Sequence, residues 1–197
     1  MGVEQSYSIT RTKATWKPRV NEADLPFLRH RPTGSVFQFI QAERRASLSD
    51  PGRNPINELP YTDLPDGETL SEAGLDNVAL INPEEAPEGF TMDYAIVGGY
   101  NNNCIKVTWT KTSQGESPVW IALKTFTGMQ TKYIFPKKPN SVLFALAEDD
   151  AYVYCDKDPC LECIFMCKRG FVVYAYLEGA GIVRLPLERA EANYGRK

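Results

Sequence analysis

The stretch Cys104-Ile-Lys-Val-Thr-Trp-Thr110 decides how this chain is read. Ile105, Val107 and Trp109 occupy alternate positions, with Lys106, Thr108 and Thr110 opposite them. Successive side chains of a strand point to opposite faces, so this spacing predicts a half-buried β-strand. The same period of two extends in both directions. Upstream, Met92, Tyr94 and Ile96 alternate until Gly98-Gly99 and Asn101-Asn102-Asn103 break the run. Downstream, Ser113-Gln114-Gly115-Glu116 predicts a turn, and Val119, Ile121 and Leu123 then stand opposite Trp120, Ala122 and Lys124. Gly128 turns the chain again. Lys132–Phe135 reads as a strand stopped by Pro136 and Pro139, and Val142, Phe144 and Leu146 mark the next. Beyond a cysteine-rich bend, Cys163–Cys167 and Phe171–Leu177 read as a hairpin turned at Arg169-Gly170, and Ile182–Leu187 as the last strand. Short connections join antiparallel neighbours, because parallel strands need crossovers of about a dozen residues. The expected fold is all-β: an antiparallel β-sandwich or barrel of about nine short strands, behind a long, largely irregular N-terminal arm. Periodicity leaves sandwich and barrel both open.

The chain has 197 residues, enough for one domain with an extension, and its 43% apolar and 24% charged residues are globular values. A net charge of −3 gives no reason to expect a general nucleic-acid binder. No apolar run reaches the length of a membrane-spanning helix. The first residues show no secretory pattern, so an intracellular or virion location is expected. Proline and charge are unevenly spread. Nine of the 14 prolines fall in residues 1–90. Residues 1–53 carry nine Lys/Arg against five Asp/Glu, whereas 54–90 carry nine acids and no Lys or Arg. Proline opposes helices and central strands. The expected organisation is an extended arm over 1–90, basic then acidic, with one strand near 35–42. An antiparallel domain over 91–190 and a charged tail over 191–197 follow. Residues 46–90 read as extended, with at most a helical turn near 71–75. A structureless stretch of that length is rare inside a compact monomer, so the arm is expected to gain its order from another protein surface.

Among groups that carry chemistry, the sharpest is Cys155-x4-Cys160-x2-Cys163-x3-Cys167. Four thiolates suit a tetrahedral zinc site. Two cysteines four apart on one strand would however lie roughly 13 Å from each other. Buried small side chains, with one disulfide across the Asp156–Pro159 bend, are the other reading. The first three also fit the C-x4-C-x2-C of plant-type ferredoxins, but no cysteine follows Cys167 to complete that set. Cys104 makes the count odd, which favours reduced thiols. Nucleophilic catalysis would have to use the one histidine, His30, set between Arg29 and Arg31 in the arm. No nucleophile elbow, phosphate-binding loop or zinc-protease motif occurs. Glu148-Asp149-Asp150 and Asp156-Lys-Asp158 offer oxygen ligands without calcium-loop spacing. Arg11, Lys13, Lys17 and Arg19 around Trp16 suit nucleic-acid contact, though pairing with an acidic protein neighbour is favoured. Met1-Gly2-x-x-x-Ser6 fits the N-myristoylation pattern.

Ala147-Glu-Asp-Asp-Ala-Tyr-Val-Tyr-Cys155 resembles the acidic-Tyr-Cys strand of lipocalins, and Ala14-Thr15-Trp16 resembles their opening motif without its glycine. The resemblance covers under a tenth of the chain. It implies an apolar cavity lined by Val107, Trp109, Ile121 and Phe144, in a carrier of a small apolar ligand. The residues themselves point instead to a non-enzymatic structural subunit of a large assembly, of which a virion shell is the familiar case. The β domain would tile, and the arm would bind neighbouring subunits through Trp16, Phe27, Phe37 and Phe39.

Overall fold

Ile105, Val107 and Trp109 are buried and Lys106 is exposed, as the alternation requires. The computed structural model describes residues 24–38, 66–98, 103–125, 128–137, 139–151, 168 and 170–187. Among them the chain is mostly β. The strands are β1 (Phe27–His30), β2 (Val36–Gln38), β3 (Leu75–Asn77), β4 (Leu80–Ile81), β5 (Met92–Val97) and β6 (Cys104–Trp109). They continue with β7 (Trp120–Lys124), β8 (Met129–Tyr133), β9 (Ser141–Ala145), β10 (Val172–Leu177) and β11 (Gly181–Pro186).

Three sheets result, ordered β2-β1-β3, β4-β11-β10-β7-β8 and β5-β6-β9. Sequence neighbours pair as antiparallel hairpins: β5 with β6, β7 with β8, β10 with β11. The turn after β5 demands glycine at its first position. Gly98 has φ 111°, and a Cβ there would sit 2.9 Å from the Asn103 backbone nitrogen. One pair is parallel, β4 beside β11. The two strands are far apart in sequence, so a short hairpin does not dictate their direction.

The sheets stack in three layers. Along β7 and β10, Ile121, Leu123, Val173, Ala175 and Leu177 point to one side. There they meet Met92, Ile105, Val107, Trp109 and Phe144 from the β5-β6-β9 sheet. Trp120, Ala122, Val172 and Tyr174 point to the other side and meet Leu25 and Phe27 from the N-terminal layer. Phe27 packs its ring on Trp120 at 5.8 Å and edge-on to Tyr174 at 5.0 Å. The sandwich is therefore double, with the five-stranded sheet buried on both faces.

This layering relocates part of the expected arm. Residues 24–38 and 66–81 are not an appendage to a domain that starts at 91. Leu25, Phe27, Val36 and Val78 supply its third layer, β4 joins the edge of the central sheet, and the packing does not divide at residue 90. The strand expected near 35–42 is β2, with 39–42 outside the described residues, and its hairpin partner β1 was not foreseen. In place of the helical turn expected near 71–75, the helix Gly67–Glu72 starts four residues earlier, capped by the Asp66 carboxylate accepting from the Thr69 amide at 2.8 Å. It buries Leu70. Strand β8 starts three residues before the expected Lys132. Of the expected hairpin, Cys163–Cys167 lies outside the described residues, and the Phe171–Leu177 part forms β10, which has β7 on one side and β11 on the other. Val107, Trp109, Ile121 and Phe144 lie together in the packed core, in place of the cavity lining the lipocalin resemblance implies. The charged tail over 191–197 lies outside the described residues.

Candidate interaction surface at the free edge of the central sheet

Among the described residues, strand β8 ends the central sheet, paired on one side only to β7. The hairpin closes at Thr125, whose amide donates to the Gly128 carbonyl at 2.8 Å. An edge strand offers unpaired backbone groups, a template for further pairing unless it is covered or charged. The neighbouring free edge belongs to β9, and side chains of β8 cap it. Gln130 donates through Nε2 to the Ala145 carbonyl at 2.9 Å, and Lys132 donates through Nζ to the Leu143 carbonyl. The Lys132 ammonium also stands 5.4 Å from the centre of the Phe144 ring. Two sheet edges are thus tied by side chains where no strand among the described residues pairs them.

Past this tie, the edge becomes apolar. Tyr133 is 69% exposed and Phe135 61%. With Pro118, Val119 and Pro136 they line an open groove of about 670 Å³, which also takes in Lys111. The Ile134 amide donates to the Val119 carbonyl at 3.0 Å and holds the segment in line with β7. Pro136 then removes a donor and ends the edge. Lys132 and Lys137 are exposed on either side of the groove in sequence. Large, partly exposed aromatic side chains near one another mark a binding surface more often than a bare solvent face.

Two buried polar groupings have structural work. The Tyr174 hydroxyl accepts from the Leu25 amide at 3.0 Å and donates to Asp24 Oδ1 at 2.9 Å. Arg184 Nε meets Asp24 Oδ2 at 3.0 Å. Burial, followed by the nearby Asp24 charge, pushes the Tyr174 phenol well above its ordinary value, so it stays a neutral donor. This clip fastens the start of the N-terminal layer to the central sheet. Lys168, fully buried, donates through Nζ to the Ala151 carbonyl at 3.0 Å. That bond draws together the two ends of the stretch 152–167, which carries four of the five cysteines.

The residues singled out from sequence are dispersed. Phe27, expected to bind a neighbour, is corrected: it is 3% exposed and committed to the chain's own core, because its ring fills the gap between Trp120 and Tyr174. Phe37 is 40% exposed on β2. Trp16, Phe39, Arg11, Lys13, Lys17 and Arg19 lie outside the described residues, as do Gly2, Cys155, Cys160, Cys163 and Cys167. Among the described residues no group of three or more His, Cys, Asp or Glu is placed to hold a metal ion. His30 Nδ1 shares a hydrogen bond with Thr33 Oγ1 at 2.8 Å in the β1–β2 turn. Asp150 is buried in the helical turn Glu148–Ala151. Cys104 is half-buried on β6, and burial pushes its thiol pKa up, away from a reactive thiolate. Sequence reasoning missed Tyr133 and Phe135 as surface residues, since it took 132–135 for an ordinary strand. Three lysines and two prolines within 132–139 were the available signal of an edge.

No protein-family model matches this chain, and no curated protein matches its sequence. Among solved structures it is similar to the superoxide reductase from Treponema pallidum, at 19% identity over 56% of this chain and 77% of that one. The TM-score is 0.35, a likeness too slight to bear on function.

Proposed function

We propose that the protein is a non-enzymatic structural subunit of a larger protein assembly, a virion-like shell being the most specific form of this reading. The free edge of β8 and its groove are the contact surface of the β domain. Trp16, Phe39 and the cations Arg11, Lys13, Lys17 and Arg19, all on stretches outside the described residues, extend the contact to neighbouring subunits. The observation that carries the reading is the exposure of Tyr133 and Phe135 at a sheet edge that no further strand covers among the described residues. Aromatic side chains dominate binding energy when buried at interfaces and cost little rotamer entropy to immobilise. The test is sedimentation of the full chain over a wide concentration range. Association is expected, with a shift to monomer in the double variant Tyr133→Lys, Phe135→Lys. A chain that stays monomeric at every concentration would overturn the reading.

A further inference from the structure

We propose that the outer face of the β5-β6-β9 sheet seats the same face of a second copy of this chain, related by a twofold axis. The inference rests on the reading of the chain as an assembly subunit, and gives that subunit a second contact surface apart from the β8 edge.

Register fixes which residues share this face. Ile105, Val107 and Phe144 point into the core, so their neighbours along each strand point outward. Ala95, Lys106 and Leu143 are paired across the three strands and form the middle row. Asp93 and Thr108 belong to the row on one side of it, Val97 and Ala145 to the row on the other. The outward face of an antiparallel sheet is ordinarily polar. Here Ala95 and Ala145 are exposed, Leu143 is 52% exposed and Val97 is half-buried. Asp93 and Lys106 are the charges on this face, one of each sign, and both are exposed.

The charges choose the occupant. Asp93 Oδ1 accepts from the adjacent Tyr94 amide at 2.7 Å, and no ion pair among the described residues engages Asp93 or Lys106. The two residues stand on one diagonal of the β5–β6 register, roughly 7–8 Å apart, and Ala95 and Thr108 stand on the other. A contact between identical surfaces has to be self-complementary. A twofold axis laid along the Ala95–Thr108 diagonal meets that condition: Lys106 of each copy comes over the partner's Asp93, so the match is made twice. The side chains beside the axis are small, and two sheets can approach to the ~10 Å of packed sheets. A partner surface of one sign would set a like charge against Lys106 or Asp93, which the second copy avoids.

Size sets the strength. Three strands about 4.8 Å apart, each with three outward positions about 7 Å apart, give a face of roughly 300 Å². A stable interface takes about 800 Å² from each partner. The face alone therefore holds no lasting dimer. It strengthens the association of copies that the β8 edge already brings together.

The test exchanges charges in the full chain, with association read by sedimentation. Asp93→Lys alone and Lys106→Asp alone each set like charges against one another, and each is expected to weaken association about tenfold. Both positions are exposed, so circular dichroism is expected to match that of the parent. Mixed one to one, the two variants are expected to recover the parent's association, because two lysines then face two aspartates. Single variants that associate as the parent does overturn the inference and leave the β8 edge as a subunit contact. So does a loss that the mixture fails to restore. A parent chain that never associates overturns the inference together with the reading beneath it.

Discussion

The two faces of the central sheet are both buried, yet they are built differently. The face toward the β5-β6-β9 sheet is closed by aliphatic and aromatic side chains, with Val107, Ile121, Phe144 and Val173 completely shielded. The face toward the N-terminal layer is closed by fewer groups among the described residues, and Trp120 keeps 9% of its surface in water. It adds a polar clip, Asp24 with Tyr174 and Arg184. The first face joins strands that follow one another closely in the chain. The second joins segments about 150 residues apart, so more loop entropy opposes it. The difference teaches that the N-terminal layer is docked onto a domain whose other half is the firmer core.

The sharpest way to break that contrast is to hollow out each face. Phe144→Ala is expected to lower unfolding stability by about 4 kcal/mol, read by denaturant titration, with the whole domain unfolding together. Phe27→Ala is expected to cost about 3 kcal/mol. Its signature is local: amide exchange in 24–38 and 75–81 speeds up before that of β6 and β10. Equal exchange throughout would show that the layers are one cooperative unit.

Tyr174→Phe tests the clip with little change of shape. It leaves the Leu25 amide without its acceptor, a loss of about 1–3 kcal/mol at a buried site. The effect also has a pH signature. The folded phenol has a raised pKa, so its contribution is fully present below the unfolded value, about pH 10, and declines as pH rises toward the folded value. Thermal melts at rising alkaline pH should therefore fall more steeply for the parent than for the Phe variant. The smallest effect is expected at Asp66. Hydrogen bonding from the Thr69 amide holds its pKa below the usual carboxylate range. The cap's contribution is present above about pH 4 and is lost as pH falls through the lower folded value. Asp66→Ala should lower the melting temperature slightly at neutral pH, and the gap should close in acid.

Much of the β domain was legible from alternation alone. Strands β5, β6 and β9 carry apolar side chains on one face, and both their existence and their buried residues follow from a period of two. The N-terminal layer was not legible in the same way. Its strands are three or four residues long, too short for periodicity, and Phe27 and Phe37 look alike as exposed anchors in a proline-rich run. A usable clue lay elsewhere. Trp120-Ile-Ala-Leu123 and Phe171-Val-Val-Tyr-Ala-Tyr-Leu177 are apolar at every position, and such strands need cover on both faces. The described residues of 91–187 supply one amphipathic sheet, enough for one face, and Leu25 and Phe27 cover the other. The groove was hidden for a related reason: Tyr133 and Phe135 are ordinary strand residues until it is known that β8 has no further neighbour among the described strands.

Local spacing, then, determined the strand-rich fold, the hairpins and which side chains turn inward along β5, β6 and β9, because alternation is a property of the backbone at each residue. Only the tertiary structure decided that the central sheet is covered twice, that Phe27 belongs to the core and that Tyr133 and Phe135 face water. Those outcomes depend on which distant segments meet, and pairing across about 150 residues leaves no mark within either segment.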